Sequence, residues 1–246
     1  MFKSIEHTDI DFSSYNPNKW KDCGSYWLYE TDQRDPDWLL VRMGRITGST
    51  CGASIGNSNF STINDTVNEI VGLKKKIFTQ DQIDNMDLGT KMEPYGRQWY
   101  SNTINMKIEE VGFCVPKWNP KIGVSIDGDI IGTDGIIEIK CPKKMYKPLN
   151  DYIYKSQNGF IRKSNDFSHI WPTHYDQMQF GMAILNKKWC EYIVYCPSEN
   201  KVFTQTIPFN EIYWNNNMYP KINLTLEEKI SPLLQGKNIP LLPLII

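Results

Sequence analysis

The chain has 246 residues, 40% of them hydrophobic and 22% charged, and its 27 basic and 28 acidic side chains leave a formal charge of −1. Mean hydropathy is −0.47, and no run approaches ~18 consecutive apolar residues, which argues against a membrane-spanning helix. The neutral balance excludes a global positive field for recruiting a polyanion, so any nucleic-acid binding needs a locally basic cleft.

The chain is long enough for one large domain or two small ones, and either can bury a core. Cys23, Cys51, Cys114, Cys141, Cys190 and Cys196 are scattered without a C-x-x-C pair, which argues against a zinc framework. The start, MFKSIEHTDIDF, carries acids and lacks the apolar region of a signal peptide. Reduced thiols in an intracellular compartment, cytoplasm or nucleus, are therefore expected.

Residues 1–36 read as an irregular, polar and aromatic lead-in. From Asp37, DWLLVRMGRITGSTCGASIG predicts a short helix, a turn and a second helix. Thr47 and Ser49 are the candidate N-caps, because a hydroxyl accepts an orphan amide hydrogen of the first turn. NDTVNEIVGLKKKIF spaces Val67, Ile70, Val71 and Leu73 near helical period, with Asn64-Asp65 as its capped start. GTKMEPYGRQWYSNTINM predicts a helix with Met92, Tyr95, Trp99 and Tyr100 on one side. Its Pro94 lies near the first turn, where proline is tolerated.

Then the period changes. Residues 108–115, 121–126 and 136–141 are short β-like runs separated by Asn-Pro and Asp-Gly turns. PTHYDQMQFGMAILN returns to helical period, WCEYIVYCP and KVFTQTIPF read as strands, and residues 210–230 read as a closing amphipathic helix. Residues 231–246 form an apolar tail suited to packing on the body or on another subunit. With no repeat, low-complexity stretch or linker, a single α/β domain over 1–246 is expected.

The chemistry concentrates in VSIDGDIIGTDGIIEIKCP, residues 124–142. Strand alternation puts Glu138 and Lys140 on one face and Ile137 and Ile139 on the other. An antiparallel return through GDIIGTDG brings Asp127 near Glu138. Two carboxylates converging at a buried sheet edge repel each other unless a cation sits between them. Hard oxygen donors on rigid strands suit Mg²⁺ or Mn²⁺, completed by waters and substrate phosphate. Lys140 beside them would orient or help deprotonate an attacking water, or steady charge on a phosphorane; paired ions in such sites lie about 3.5–4 Å apart. A lone Glu-x-Lys is usually a solvated pair of little energetic weight. The ordered set S-x-D-G, short hairpin, E-I-K-C-P is what favours a site.

Four segments, GTKMEPYGR (89–97), GVSIDG (123–128), GIIEIKCP (135–142) and HYDQMQFGM (174–182), resemble the YqaJ-like viral recombinase family in order and spacing. That family includes the phage lambda-type exonuclease, within the PD-(D/E)XK nuclease superfamily. WLLVRMGRITGS (38–49) is similar to its W-x-x-x-R-x-G-x-x-T-A-S element. Two departures are Gly48 for the usual alanine and Ile126 for the superfamily's proline; the hydroxyls and the carboxylate are kept.

The resemblance implies a restriction-endonuclease-like core with a mixed central sheet flanked by helices. It implies a Mg²⁺-dependent exonuclease, with two ions per site and Mn²⁺ as a substitute, that digests one strand of linear duplex DNA from a 5′ end. Metal ligands would be Asp127, Glu138, the Ile139 carbonyl and Glu93; Lys140 would be the catalytic lysine and Gln177 the glutamine of the following helix. Arg42 and Ser49 match 5′-phosphate contacts, with Arg45 adding charge. A guanidinium's bidentate grip and a capped helix start suit that ligand. A role in viral recombination or genome processing, a single-strand annealing partner and ring-forming homo-oligomers are also implied. A structure-specific endonuclease of the same fold and a non-catalytic DNA-end-binding adaptor stay open as alternatives.

Among the remaining residues, Lys143, Lys144 and Lys147 follow the catalytic strand and suit tracking of the DNA backbone, whereas Lys74–Lys76 reads as a solvated run. Gln179 lies opposite Gln177 on its helix, His174 reads as a helix residue, and Asp129 and Asp134 read as turn residues. Trp38, Trp99 and Tyr100 are expected in the core.

Overall fold

The computed structural model describes residues 15–33, 35–75, 77–144 and 170–235. In chain order its strands are β1 (Trp20–Asp22), β2 (Tyr26–Tyr29), β3 (Ile46–Thr47), β4 (Ile108–Glu109), β5 (Phe113–Pro116), β6 (Ile122–Gly123), β7 (Gly128–Ile130), β8 (Gly135–Lys140), β9 (Trp189–Cys196) and β10 (Lys201–Pro208). The helices are α1 (Pro36–Arg42), α2 (Gly48–Ser54), α3 (Ile63–Ile70), α4 (Gln80–Ile104) and α5 (Pro172–Leu185). A closing helical run follows over residues 211–234.

The central sheet has the order β10-β9-β8-β7-β4. It is mixed, as expected: β8 and β9 are parallel, whereas β9–β10, β7–β8 and β4–β7 are antiparallel. A parallel pair needs a crossover connection, and α5 lies within it. The two faces of β8 separate as the alternation requires. Ile137 and Ile139 pack with Tyr100, Ile130 and Ile193 and with the half-buried Met92 and Ile104 of α4. Ile136 belongs to the larger cluster with Val124, Ile126 and the α5 residues Met178, Phe180 and Met182. Gly96 lets α4 come close: a Cβ there would sit 3.2 Å from Ile139 Cγ2 and 3.3 Å from Tyr195 Cβ.

Several expectations need correction. Part of the lead-in is ordered, because β1, β2 and β5 form an antiparallel sheet. The Y-W-L-Y segment hid this: Tyr29 is buried but Tyr26, Trp27 and Leu28 are all half-buried, so no alternation shows. Helix α4 begins nine residues before Gly89, at Gln80, where Thr79 and Gln82 form a reciprocal capping box. Pro94 is therefore inside the helix. The expected one-sided stripe on α4 splits as well, with Tyr100 buried while Tyr95 and Trp99 are 58% and 36% exposed. Met92, Gly96 and Tyr100 form one i, i+4, i+8 row, and Tyr95 and Trp99 form the neighbouring row facing outward. The cap of α3 is Thr62, whose hydroxyl accepts from Asp65 N at 3.1 Å, rather than Asn64-Asp65.

The closing helical run buries Trp214, Met218, Ile222, Leu226 and Ile230, a row repeating every fourth residue. Such a row drifts around a helix of 3.6 residues per turn. Wider π turns at Trp214–Met218 and Leu226–Ile230 alternate with α turns and keep the row on the core. Among the described residues no helix is long and apolar enough to cross a membrane.

The β8–β9 junction sets a packing limit. A Cβ on Gly135 would meet the Trp189 ring at 2.2 Å. Gly135→Ala should therefore cost about 1–3 kcal/mol through overpacking, read as a lower denaturation midpoint; an unchanged midpoint would show that the ring can move aside.

Candidate active site

The β7–β8 register pairs Gly128 with Ile137, which brings Asp127 level with Glu138 and Ile139. The Ile139 amide donates to Asp127 Oδ2 at 2.6 Å. Both carboxylates are buried, with Asp127 9% and Glu138 4% exposed. Burial pushes Glu138 up to about 8, and the nearby Asp127 charge pushes the same way against the opposing pull of Lys140. Burial also raises Asp127, against Lys140 and the Ile139 amide. The Lys140 ammonium touches Glu138 Oε1 and lies 3.4 Å from Gln177 Oε1. The face carrying Glu138 and Lys140 is thus not a solvated strand surface; α5 lies against it.

These groups border a cleft of about 940 Å³ walled by Glu93, Asp127, Ile139, Lys140, Gln177, Arg42 and Ser49, among others. Glu138 contacts Lys140, which lies on the wall. Glu93 comes in from α4 and accepts from Arg97 Nη2 at 2.8 Å. Gln177 faces the cleft, while Gln179 is buried between the Pro208 carbonyl and the Asn210 amide, the opposition that helix phase requires.

The donor set suits a hard divalent cation. Asp127, Glu138, Glu93 and the Ile139 carbonyl all offer oxygen, and burial raises the Glu138 carboxyl towards its neutral form, a bias that a bound cation would oppose. Among the described residues no three acid, histidine or cysteine side chains already form a closed cation cage. The carboxylates of Asp127, Glu138 and Glu93 would then share the cation with water and substrate phosphate.

At another part of the wall, Arg42 Nη2 donates to Ser49 Oγ at 2.9 Å. Among the described residues Arg42 has no acidic partner. Burial lowers its pKa to about 10, so it stays cationic at neutral pH. Its guanidinium lies 3.9 Å over the Trp38 ring, and Trp38 Nε1 donates to Ser125 Oγ at 2.9 Å. Trp38 therefore lines the cleft while also packing against the core cluster of Tyr29, Val41 and Phe113, and its role as an Arg42 platform was not visible in the sequence. Thr47 is the N-cap of α2, and Ser49 lies within the first turn.

Arg45 must be removed from the phosphate-contact set. It is 1% exposed, and its guanidinium donates to the Pro120 carbonyl at 2.8 Å and the Val41 carbonyl at 2.5 Å. Its charge ties α1 to the β5–β6 connection. Lys143 and Lys144 do line the cleft, with Lys143 Nζ 3.2 Å from Asp81; Lys147 lies outside the described residues. Lys74 pairs with Asp65 at 2.7 Å. His174 is a helix residue whose Nδ1 is 2.8 Å from the Tyr192 hydroxyl. Asp134 is a turn residue, but Asp129 belongs to β7 and pairs with Lys187.

The acid pair makes stability pH-dependent. Because the folded value of Glu138 lies above its ordinary 4.5, its contribution is present at low pH and is lost as pH rises towards about 8. In EDTA at pH 8, Glu138→Gln should melt roughly 2–5 °C above the unaltered chain, with the gap closing towards pH 5. A variant no more stable at pH 8 would contradict burial as the cause.

In structure the chain is similar to an alkaline exonuclease (LHK-Exo) from Laribacter hongkongensis, with TM-score 0.60 and 22% identity over 81% of this chain and 94% of that one. LHK-Exo in complex with dAMP gives TM-score 0.58 and 23% identity over 81% and 96%. A phage related exonuclease from Haemophilus somnus 129PT gives TM-score 0.52 and 11% identity over 79% and 96%. No curated protein sequence matches the chain significantly. The YqaJ-like viral recombinase domain matches residues 37–187, more than half of the chain, and the protein belongs to that family.

Proposed function

We propose that the protein is a Mg²⁺-dependent exonuclease that degrades one strand of linear duplex DNA from its 5′ end. The observation that carries this reading is that the Arg42–Ser49 pair and the Asp127–Lys140 centre border one cleft. Membership of the YqaJ-like family and the shared fold with alkaline exonucleases support it.

Asp127, Glu138, Glu93 and the Ile139 carbonyl would hold the cation. When bound, it neutralises phosphate charge and makes a coordinated water more acidic. Lys140, carrying its proton at Nζ between Glu138 and Gln177, steadies the negative charge that builds on the phosphoryl oxygens as water oxygen attacks phosphorus. Arg42 and Ser49 take the terminal 5′ phosphate, and the half-buried guanidinium gains from the low local dielectric. Breaking the P–O3′ bond releases a 5′-mononucleotide and leaves a new 5′ phosphate on the shortened strand. The same Arg42–Ser49 pair can then take that phosphate.

The testing experiment is digestion of linear duplex with 5′-phosphate or 5′-hydroxyl ends, and of circular duplex, in Mg²⁺ and in EDTA. Linear phosphorylated ends should be consumed in Mg²⁺ alone; efficient cutting of circles would favour a structure-specific endonuclease. Arg42→Ala should cut the preference for 5′-phosphorylated ends by about 10–100-fold, the loss of a charge-assisted contact. An unchanged preference would remove Arg42 from this role. Asp127→Asn and Lys140→Ala should each lower cleavage by at least about 100-fold with duplex binding retained in a mobility-shift assay. Cleavage at the unaltered rate in either variant would refute the assignment.

A further inference from the structure

Arg97 does not wall the cleft, yet its guanidinium is the junction between the groups that do. It lies on α4, one turn after Glu93, with its side chain 13% exposed. Nε donates to the main-chain carbonyl of Asp127 at 2.6 Å, Nη2 to Glu93 Oε1 at 2.8 Å and Nη1 to Glu110 Oε2 at 2.9 Å. Asp127 is thereby held at both ends, with its carbonyl on Arg97 and its carboxylate on the Ile139 amide.

Glu93 and Asp127 belong to α4 and to the approach to β7, elements that share no hydrogen-bonded ladder. Among the described residues, this planar fork joins the two directly, alongside side-chain packing. We propose that Arg97 is the positioning residue of the cation site, fixing Glu93 and Asp127 at the spacing a divalent cation needs before it binds. The inference rests on the reading of Asp127 and Glu93 as cation ligands. Arg97 is not a catalytic residue, because it does not face the space that substrate would occupy.

Electrostatics alone gives the opposite expectation, which makes the two separable. A positive charge beside Glu93 and Asp127 competes with a cation, so removing it should tighten binding. Replacing it with lysine keeps the charge and loses the fork, since one ammonium cannot hold three acceptors in a plane. Positioning therefore predicts weaker binding for Arg97→Lys, whereas charge compensation predicts no change.

The test is Mn²⁺ binding to the full chain without DNA, read by water-proton relaxation, with thermal melting alongside. The unaltered chain should bind Mn²⁺, and Asp127→Asn should abolish that binding. Arg97→Lys should melt close to the unaltered chain and bind Mn²⁺ about 10–100-fold more weakly, the usual cost of removing an outer-shell support. Glu110→Leu removes the acceptor of the outer arm, whereas Glu110→Gln removes the same charge but keeps an oxygen that can accept from Nη1. Positioning predicts that Glu110→Leu binds Mn²⁺ about 2–5-fold more weakly than Glu110→Gln, and this comparison decides the matter if Arg97→Lys does not fold. Native Mn²⁺ affinity in folded Arg97→Lys, or equal affinity in Glu110→Leu and Glu110→Gln, overturns the inference while leaving the site intact. Failure of the unaltered chain to bind Mn²⁺, or equal binding by Asp127→Asn, overturns the cation site itself and the inference with it.

Discussion

The hydrogen bond from the Ile139 amide to the Asp127 carboxylate, 2.6 Å across the β7–β8 pair, is the constraint on which the rest of the site depends. It sets an acid from the end of one strand against Glu138 on the next, in a layer where both are buried. Burying two carboxylates is costly unless each finds a charge or a donor. Here the amide serves Asp127 and the Lys140 ammonium serves Glu138. The apolar faces around them supply the rigidity. Ile137 and Ile139 anchor β8 to α4, and Ile136 anchors it beneath α5, so the charged groups sit on a strand clamped from both sides.

The same layering explains why one cleft joins two kinds of charge. Helix α4 carries Glu93 over the sheet edge, α5 carries Gln177, and α1 and α2 present Arg42 and Ser49 across the opening. A neutral chain thereby keeps, on the same cleft as Asp127 and Glu93, a guanidinium that has no acidic partner among the described residues. The solved exonucleases it resembles share at most 23% identity, and that likeness speaks for the fold alone. Roles for single residues rest on the geometry of this chain.

Strand periodicity made the centre of the fold legible. The alternation in I-I-E-I-K gave the two faces of β8, and the Asp-Gly turns placed Asp127 opposite Glu138. Helix phase separated Gln177 from Gln179. What stayed hidden depended on three-dimensional partners. Arg42 and Arg45 are three residues apart and chemically alike, and only the fold shows that carbonyls capture Arg45 while Arg42 faces the cleft. Trp38 read as core alone, because a ring that packs on the core and also carries a guanidinium has the same sequence signature as a fully packed one. The early start of α4 escaped because its first two turns are polar and bury no apolar face. The π turns of the closing helix were implicit in its four-residue repeat, a period that suits neither a strand nor a regular α-helix.

The central claim is that the Arg42–Ser49 pair holds a strand end while the Asp127–Lys140 centre cuts beside it. The most direct measurement is the size of the first labelled product released from a 5′-phosphate-labelled linear duplex in Mg²⁺. Release of the label as a 5′-mononucleotide is the expected result. Release in longer oligonucleotides, or from internal cuts that leave the end intact, would contradict the account.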